Sequence, residues 1–169
     1  MSFSVTSTVL LNQDATPISK VFPTSKGGAS RRAVASLTVL ATTVGQTNAF
    51  ARIPVRARLG DVSARLASMG NGSVKIGFYR PGGSVNTAVA VKDDAITAAM
   101  ALTAQSGASV FDGPTPANRE KSIADWLATE IGTAGATGDV ELDIIATVVT
   151  VSTGAATSMA LEVEYVEPE

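Results

Sequence analysis

The 169-residue chain has no cysteine and no histidine. Without cysteine there is no disulfide, no thiolate nucleophile and no zinc–sulfur site. Without histidine the usual general base near neutral pH is missing, and with it the Ser-His-Asp and Cys-His arrangements and the commonest metal ligand. A carboxylate dyad or a Ser-Lys pair would still be chemically open, but neither has a recognisable local pattern. The expectation is therefore a protein that is not an enzyme and carries no cofactor. Aromatic residues are scarce, 5% against 45% apolar overall, so Trp126, Tyr79, Tyr165 and the phenylalanines are expected to anchor a core of thin Ala and Val side chains. A run of about 18 apolar residues is also absent, and no membrane-spanning helix is expected. The opening "MSFSVTSTVLLNQD" has neither a basic leader nor a sustained apolar stretch, so no secretory signal is expected.

What the chain does have is a strong division of charge. Residues 1–92 hold eleven of the thirteen Lys and Arg with only Asp14 and Asp61 as acids, a net +9, whereas residues 93–169 carry −11. Net charge is only −2. Such a split calls for the two halves to meet, within one chain or between copies.

Residues 1–30 are small and polar, punctuated by Pro17, Pro23 and Gly27-Gly28, and read as an extended arm that contributes at most one short strand. Its isolated apolar clusters, Leu10-Leu11 and Val21-Phe22, suit docking onto a neighbouring subunit. From residue 31 to 169 the pattern is that of one β domain. "RRAVASLTVLATTV" predicts a strand over 33–43. "NAFARIPVRARLG" predicts one strand over 49–59, with Ile53, Val55, Ala57 and Leu59 on one face and Arg52, Arg56 and Arg58 on the other. Residues 61–69 read as strand rather than a helical turn, and 73–80 as a strand with Val74, Ile76 and Phe78 alternating. Asn71-Gly72 and Pro81-Gly82-Gly83 mark turns. Residues 93–105 fit a short helix opened by Asp93-Asp94 as well as they fit a strand. A helix is predicted over 118–132, capped by Asn118 and left at Gly132, with Ile123, Trp126, Leu127 and Ile131 on one face. Two strands, 139–151 and 158–167, close the chain around "STGAAT", read as a hairpin loop. This order predicts a mostly β fold, an antiparallel β-sandwich of jelly-roll type with one lateral helix.

Short motifs add no reaction centre. Gly70-Asn71-Gly72 lacks the third glycine and following helix of a dinucleotide site, and Lys26-Gly27-Gly28 lacks the spacing of a phosphate loop. Asp93-Asp94 and the alternation Asp139, Glu141, Asp143 match no calcium loop. The arginine face remains, and it needs anions. Glu141 and Asp143, with Glu162 and Glu164, repeat at the same period on later strands and are its expected partners, within the chain or across subunits. Arg52, Arg56, Arg58, Glu141, Asp143, Glu162 and Glu164, with Leu10, Leu11, Val21 and Phe22, are the interface candidates. Binding of nucleic acid is disfavoured, because the arginines are isolated and not interleaved with aromatics.

The order "FARIPVRARL", "VKIGFY", "DDAI", "IADWLATEIG", "DVELDIIATVV" and "LEVEYV" resembles a group of small structural proteins of tailed bacteriophages that accompany the major capsid protein. The resemblance runs over roughly residues 31–166. It departs from the group at Arg80, where the tyrosine of "GFY" is commonly followed by an acidic residue. It implies a virion protein made in the host cytoplasm: a cement, or decoration, protein that binds the major capsid protein and self-associates, a trimer being the simplest guess. The alternative from another class is a carbohydrate- or receptor-binding β-sandwich displayed on the virion, against which the shortage of aromatics weighs.

Overall fold

The structure, a computed structural model, describes residues 5–6, 30–39, 41, 43–81, 89–112, 118, 120–135 and 141–167. Nine strands are described: β1 (Val5–Thr6), β2 (Ser30–Val39), β3 (Thr47–Pro54), β4 (Arg58–Leu66), β5 (Ser73–Arg80), β6 (Val89–Ala101), β7 (Gln105–Ser109), β8 (Glu141–Thr150) and β9 (Thr157–Val166). Two short helices, α1 (Ile123–Trp126) and α2 (Ala128–Gly135), lie between β7 and β8.

The strands form a five-stranded sheet of order β1-β3-β8-β5-β6 and a four-stranded sheet of order β2-β9-β4-β7. Apart from the parallel pair β1–β3, every pairing is antiparallel. β2 pairs with β9, β3 with β8, β4 with β7 and β5 with β6, so β2 to β9 form a long antiparallel ribbon folded back on itself and rolled into two sheets. That is the jelly-roll order predicted from the sequence. It also disposes of the charge split. Each pair of the ribbon joins a strand from the basic half to one from the acidic half, the halves meeting within β6.

Between the sheets lies one core in which Ile53, Val62, Ile76, Phe78, Ile96, Leu142, Ile144, Met159 and Val163 are buried. β9 alternates as the sequence predicted, with Met159, Leu161 and Val163 inward and Glu162 and Glu164 outward. β8 differs, because Leu142 to Val148 are buried on both faces. A second cluster, Ala49, Tyr79 and Ile145, occupies the far side of the five-stranded sheet, and Tyr79 Oη is 2.7 Å from Thr147 Oγ1.

Several expectations are corrected. The stretch 49–59 is two strands, not one. Pro54 lacks an N–H and accepts at its carbonyl a bond from Ala57 N (3.0 Å), closing a tight corner that carries the chain from one sheet to the other. The inside-outside period survives the corner, but Arg52, Arg56 and Arg58 end up on β3, in the corner and on β4. Residues 93–105 contain no helix, since β6 runs through Ala101 and buries Ala95, Ile96 and Met100 against β5's side of the core. Tertiary pairing overrides the helical preference of alanine there.

Asn118 is itself helical, but the predicted segment is not one continuous helix. Ser122, not Asn118, is the cap, its Oγ accepting from Asp125 N (3.1 Å), and the helix is interrupted at Leu127 before running past Gly132 to Gly135. Its predicted apolar face holds. Ile123, Leu127 and Ile131 are buried, and the Trp126 ring meets Phe78 and Phe111 edge-on at 5.8 and 6.1 Å.

"STGAAT" is no hairpin, because β8 and β9 belong to different sheets. It crosses the end of the sandwich and packs on the β4–β5 crossing. There Ser152 Oγ donates to the Met69 carbonyl, Thr153 Oγ1 donates to Asn71 Oδ1 (2.8 Å), and any side chain at Gly154 would run into the Met69 backbone. The turn at Asn71-Gly72 is likewise a crossing between sheets.

Candidate interaction surface

Two of the three arginines of the 52–58 stripe find carboxylates, each by a different route. Arg52 and Asp143 are register partners on β3 and β8, and the guanidinium grips the carboxylate with two bonds, Nε to Oδ1 at 2.7 Å and Nη2 to Oδ2 at 3.2 Å. Asp143 is fully buried and the Arg52 side chain is 11% exposed, so this fork is a desolvated, charge-assisted pair, the strong kind. Arg56, at the corner, donates to Glu167 Oε1 (2.7 Å), and Arg31 on β2 approaches Glu167 Oε2 (2.9 Å). Glu167, just beyond β9, thus ties the first strand of the four-stranded sheet to the β3–β4 corner. Arg58 is exposed, and among the described residues no carboxylate pairs with it.

Of the acidic candidates, Glu162 pairs with Arg32, which raises that guanidinium's pKa above its ordinary value. Glu164 is exposed between Arg32 on β2 and Asp61 on β4, its register partners. Glu141 is exposed at the start of β8. Leu10, Leu11, Val21 and Phe22 lie outside the described residues. Lys75 pairs with Asp93 (2.5 Å) and Lys92 with Glu130 (3.1 Å), the latter hydrogen bond raising the lysine pKa. Among the described residues no group of His, Cys, Asp or Glu is arranged to hold a metal ion. Asp93 and Asp143 of the two acidic motifs are engaged by Lys75 and Arg52.

No family model and no curated protein matches the chain. Among solved structures, it is similar to a chain of the cyanophage Pam1 capsid asymmetric unit, at 14% identity and a TM-score of 0.41, over 92% of this chain and 97% of that one.

With Arg52 and Arg56 so engaged, an open surface remains on the outer face of the four-stranded sheet. Arg32, Val34, Ser36 and Thr38 on β2, Ser158 and Glu164 on β9, Arg65 on β4 and Ser106 and Ser109 on β7 are exposed there, and Val34 is 53% exposed. Short side chains are interspersed with charged ones. Ser36 Oγ and Ser158 Oγ bridge β2 and β9 at 3.0 Å, and Asp61 accepts from Ser109 Oγ at 2.5 Å. The described aromatics, by contrast, are inside: Phe50, Phe78, Tyr79 and Phe111 are buried, and Trp126 and Tyr165 are partly buried against the core.

Sequence reasoning missed Arg31 and Glu167, the members of the corner clamp that accompany Arg56. Glu167 breaks the alternation of Glu162 and Glu164, and no periodicity could have linked it to a residue more than a hundred positions away.

Proposed function

We propose that this protein is a non-enzymatic virion structural protein, a cement or decoration protein that binds and stabilises a shell of major capsid protein. The observation that carries this reading is the exposed outer face of the four-stranded sheet, where short side chains are mixed with charged ones. It is left open by a jelly roll that has used most of the arginine stripe in internal ion pairs. An exposed sheet face of mixed short and charged side chains suits contact with another broad protein surface more than capture of a small molecule, for which concave, largely apolar sites are the rule. Jelly rolls recur in viral capsid proteins and in lectins, and the motif order of residues 31–166 resembles small phage structural proteins; fold analogy alone assigns no function. Repetition by symmetry supplies the strength, since many modest contacts made together hold far better than each one alone.

The lectin alternative loses support from the described aromatics, which the core takes up. Nucleic-acid binding loses support from Arg52 and Arg56, whose charge is spent on Asp143 and Glu167. The decisive experiment adds the purified protein to capsids that lack it and heats the particles. Retention of the genome to a higher temperature is expected. Equal thermal release with and without saturating protein would reject the cement role, and binding to a glycan array would move the assignment to the alternative.

A further inference from the structure

The five-stranded sheet is bordered by β1, a strand of two residues in parallel register with β3, Val5 opposite Asn48 and Thr6 opposite Ala49. β3 is buried as an interior strand is: Thr47, Asn48, Ala49, Phe50, Ala51 and Ile53 are all sequestered from solvent. The strand that borders it comes from the far N-terminus, about forty residues ahead of β3 in the chain. β1 leads into β2, which lies in the other sheet, through residues 7–29, whose sequence carries Pro17, Pro23 and Gly27-Gly28.

Asn48 supplies an independent observation. Its side chain is fully buried, yet neither Oδ1 nor Nδ2 has a hydrogen-bond partner. A buried amide in that condition is costly, and native structures seldom leave one so. It sits opposite Val5, so the short β1 pairing leaves polar groups of this edge unmet by the described residues of one chain.

The connection is long enough to reach elsewhere. Stretched out, residues 7–29 span roughly 80 Å at about 3.5 Å per residue, about five times the ~15 Å radius of gyration of a domain this size. The same β1 contacts are therefore open to any copy whose N-terminus comes within reach, and exchange of an identical element between protomers is an inexpensive route to assembly. Where copies are held close together, the neighbour's strand competes at high effective concentration.

We propose that the outer edge of β3 is the docking site for β1 of a second copy, so that N-terminal strands interlock neighbouring protomers. The inference rests on the shell-binding reading above only for the closeness of the copies. Because the chain has no cysteine, introduced thiols report cleanly. Chains carrying T6C and chains carrying A49C are unfolded together, refolded at high concentration and oxidised, with circular dichroism to verify the fold. A covalent dimer joining the two variants is expected, several-fold above that from either alone, and the T6C/A49C double variant should give dimers and larger species. The pair V5C and N48C repeats the test in a second geometry. A double variant that oxidises only within one chain, at monomer mass, would overturn the proposal, and so would a mixture that yields no dimer in either geometry. Such a failure would leave capsid binding untouched, while protein that exchanges strands yet leaves capsids unaffected would fail the functional reading instead.

Discussion

Asp143 shows how much one side chain can depend on one partner. It is an acid fully buried beside β-sheet hydrophobes and held by the two-bond grip of Arg52. Removing either member strands a charge in a place water does not reach. D143A is therefore expected to cost about 3–5 kcal/mol in urea unfolding, whereas replacing both with apolar residues of similar volume should cost far less. Equal losses from the single and double variants would contradict this. Tyr79 and Tyr165 make a second prediction. Burial raises both phenol pKa values above the ordinary value, and the Thr147 hydroxyl only partly offsets this at Tyr79. Above about pH 10 the unfolded chain loses these protons while the folded one holds them, so the unfolded state binds fewer protons and stability falls as pH rises. The effect is absent below that range. Y79F and Y165F are each expected to flatten the alkaline limb of a stability-against-pH curve, and an unchanged limb would count against the burial argument. The arginine–apolar alternation was legible in the sequence, because side-chain direction along a strand follows from the backbone. That Arg52 would take Asp143, and Arg56 would take Glu167, was not, because those choices depend on register between distant strands.

Among the elements, the β5–β6 ladder carries the sharpest constraint. Its register shifts between Val74 and Tyr79, and the extra residues of β6 press their backbone over Gly77. A Cβ at Gly77 would overlap the Lys92 carbonyl and lie 2.7 Å from Asp93 Cα, and these are main-chain atoms that cannot swing aside. G77A is expected to destabilise by at least the roughly 1–3 kcal/mol of an overpacked site, measured by thermal or urea unfolding, with a neutral outcome refuting the close approach. This also explains why 93–105 misled. Ala-rich sequence opened by two aspartates satisfies the local rules for a helix, but Asp93 is drawn to Lys75 and Ala95 and Ile96 into the core, and these tertiary contacts outweigh propensity. The helical segment after β7 was legible for the opposite reason. Its apolar face has the right spacing and meets the core, whereas the cap, the break at Leu127 and the end beyond Gly132 were not foreseen; Asn118 and Ser122 both have side chains able to accept from a backbone N–H.

At the scale of the molecule, the ribbon pairs strands far apart in sequence, β2 with β9 and β3 with β8. Loop-closure entropy must be met before such contacts form, so refolding is expected on the millisecond-to-second scale of non-local β proteins. Stopped-flow Trp126 fluorescence would measure it, and microsecond refolding would contradict the topology. The charge division acts at this scale too. Exposed pairs such as Arg32–Glu162 add little individually, but like charges facing each other along misaligned strands are unfavourable, so the split discourages pairing a half with itself.

Composition and period two settled the class of fold from sequence alone, because alternation, turn residues and charge are properties of neighbours along the chain. Which sheet each strand joins, that Pro54 would mark a corner, that "STGAAT" would cross between sheets and that Asp143 would be buried were decided only in three dimensions. Each depends on which distant strand lies alongside, and that is set by the fit of the whole ribbon around a shared core.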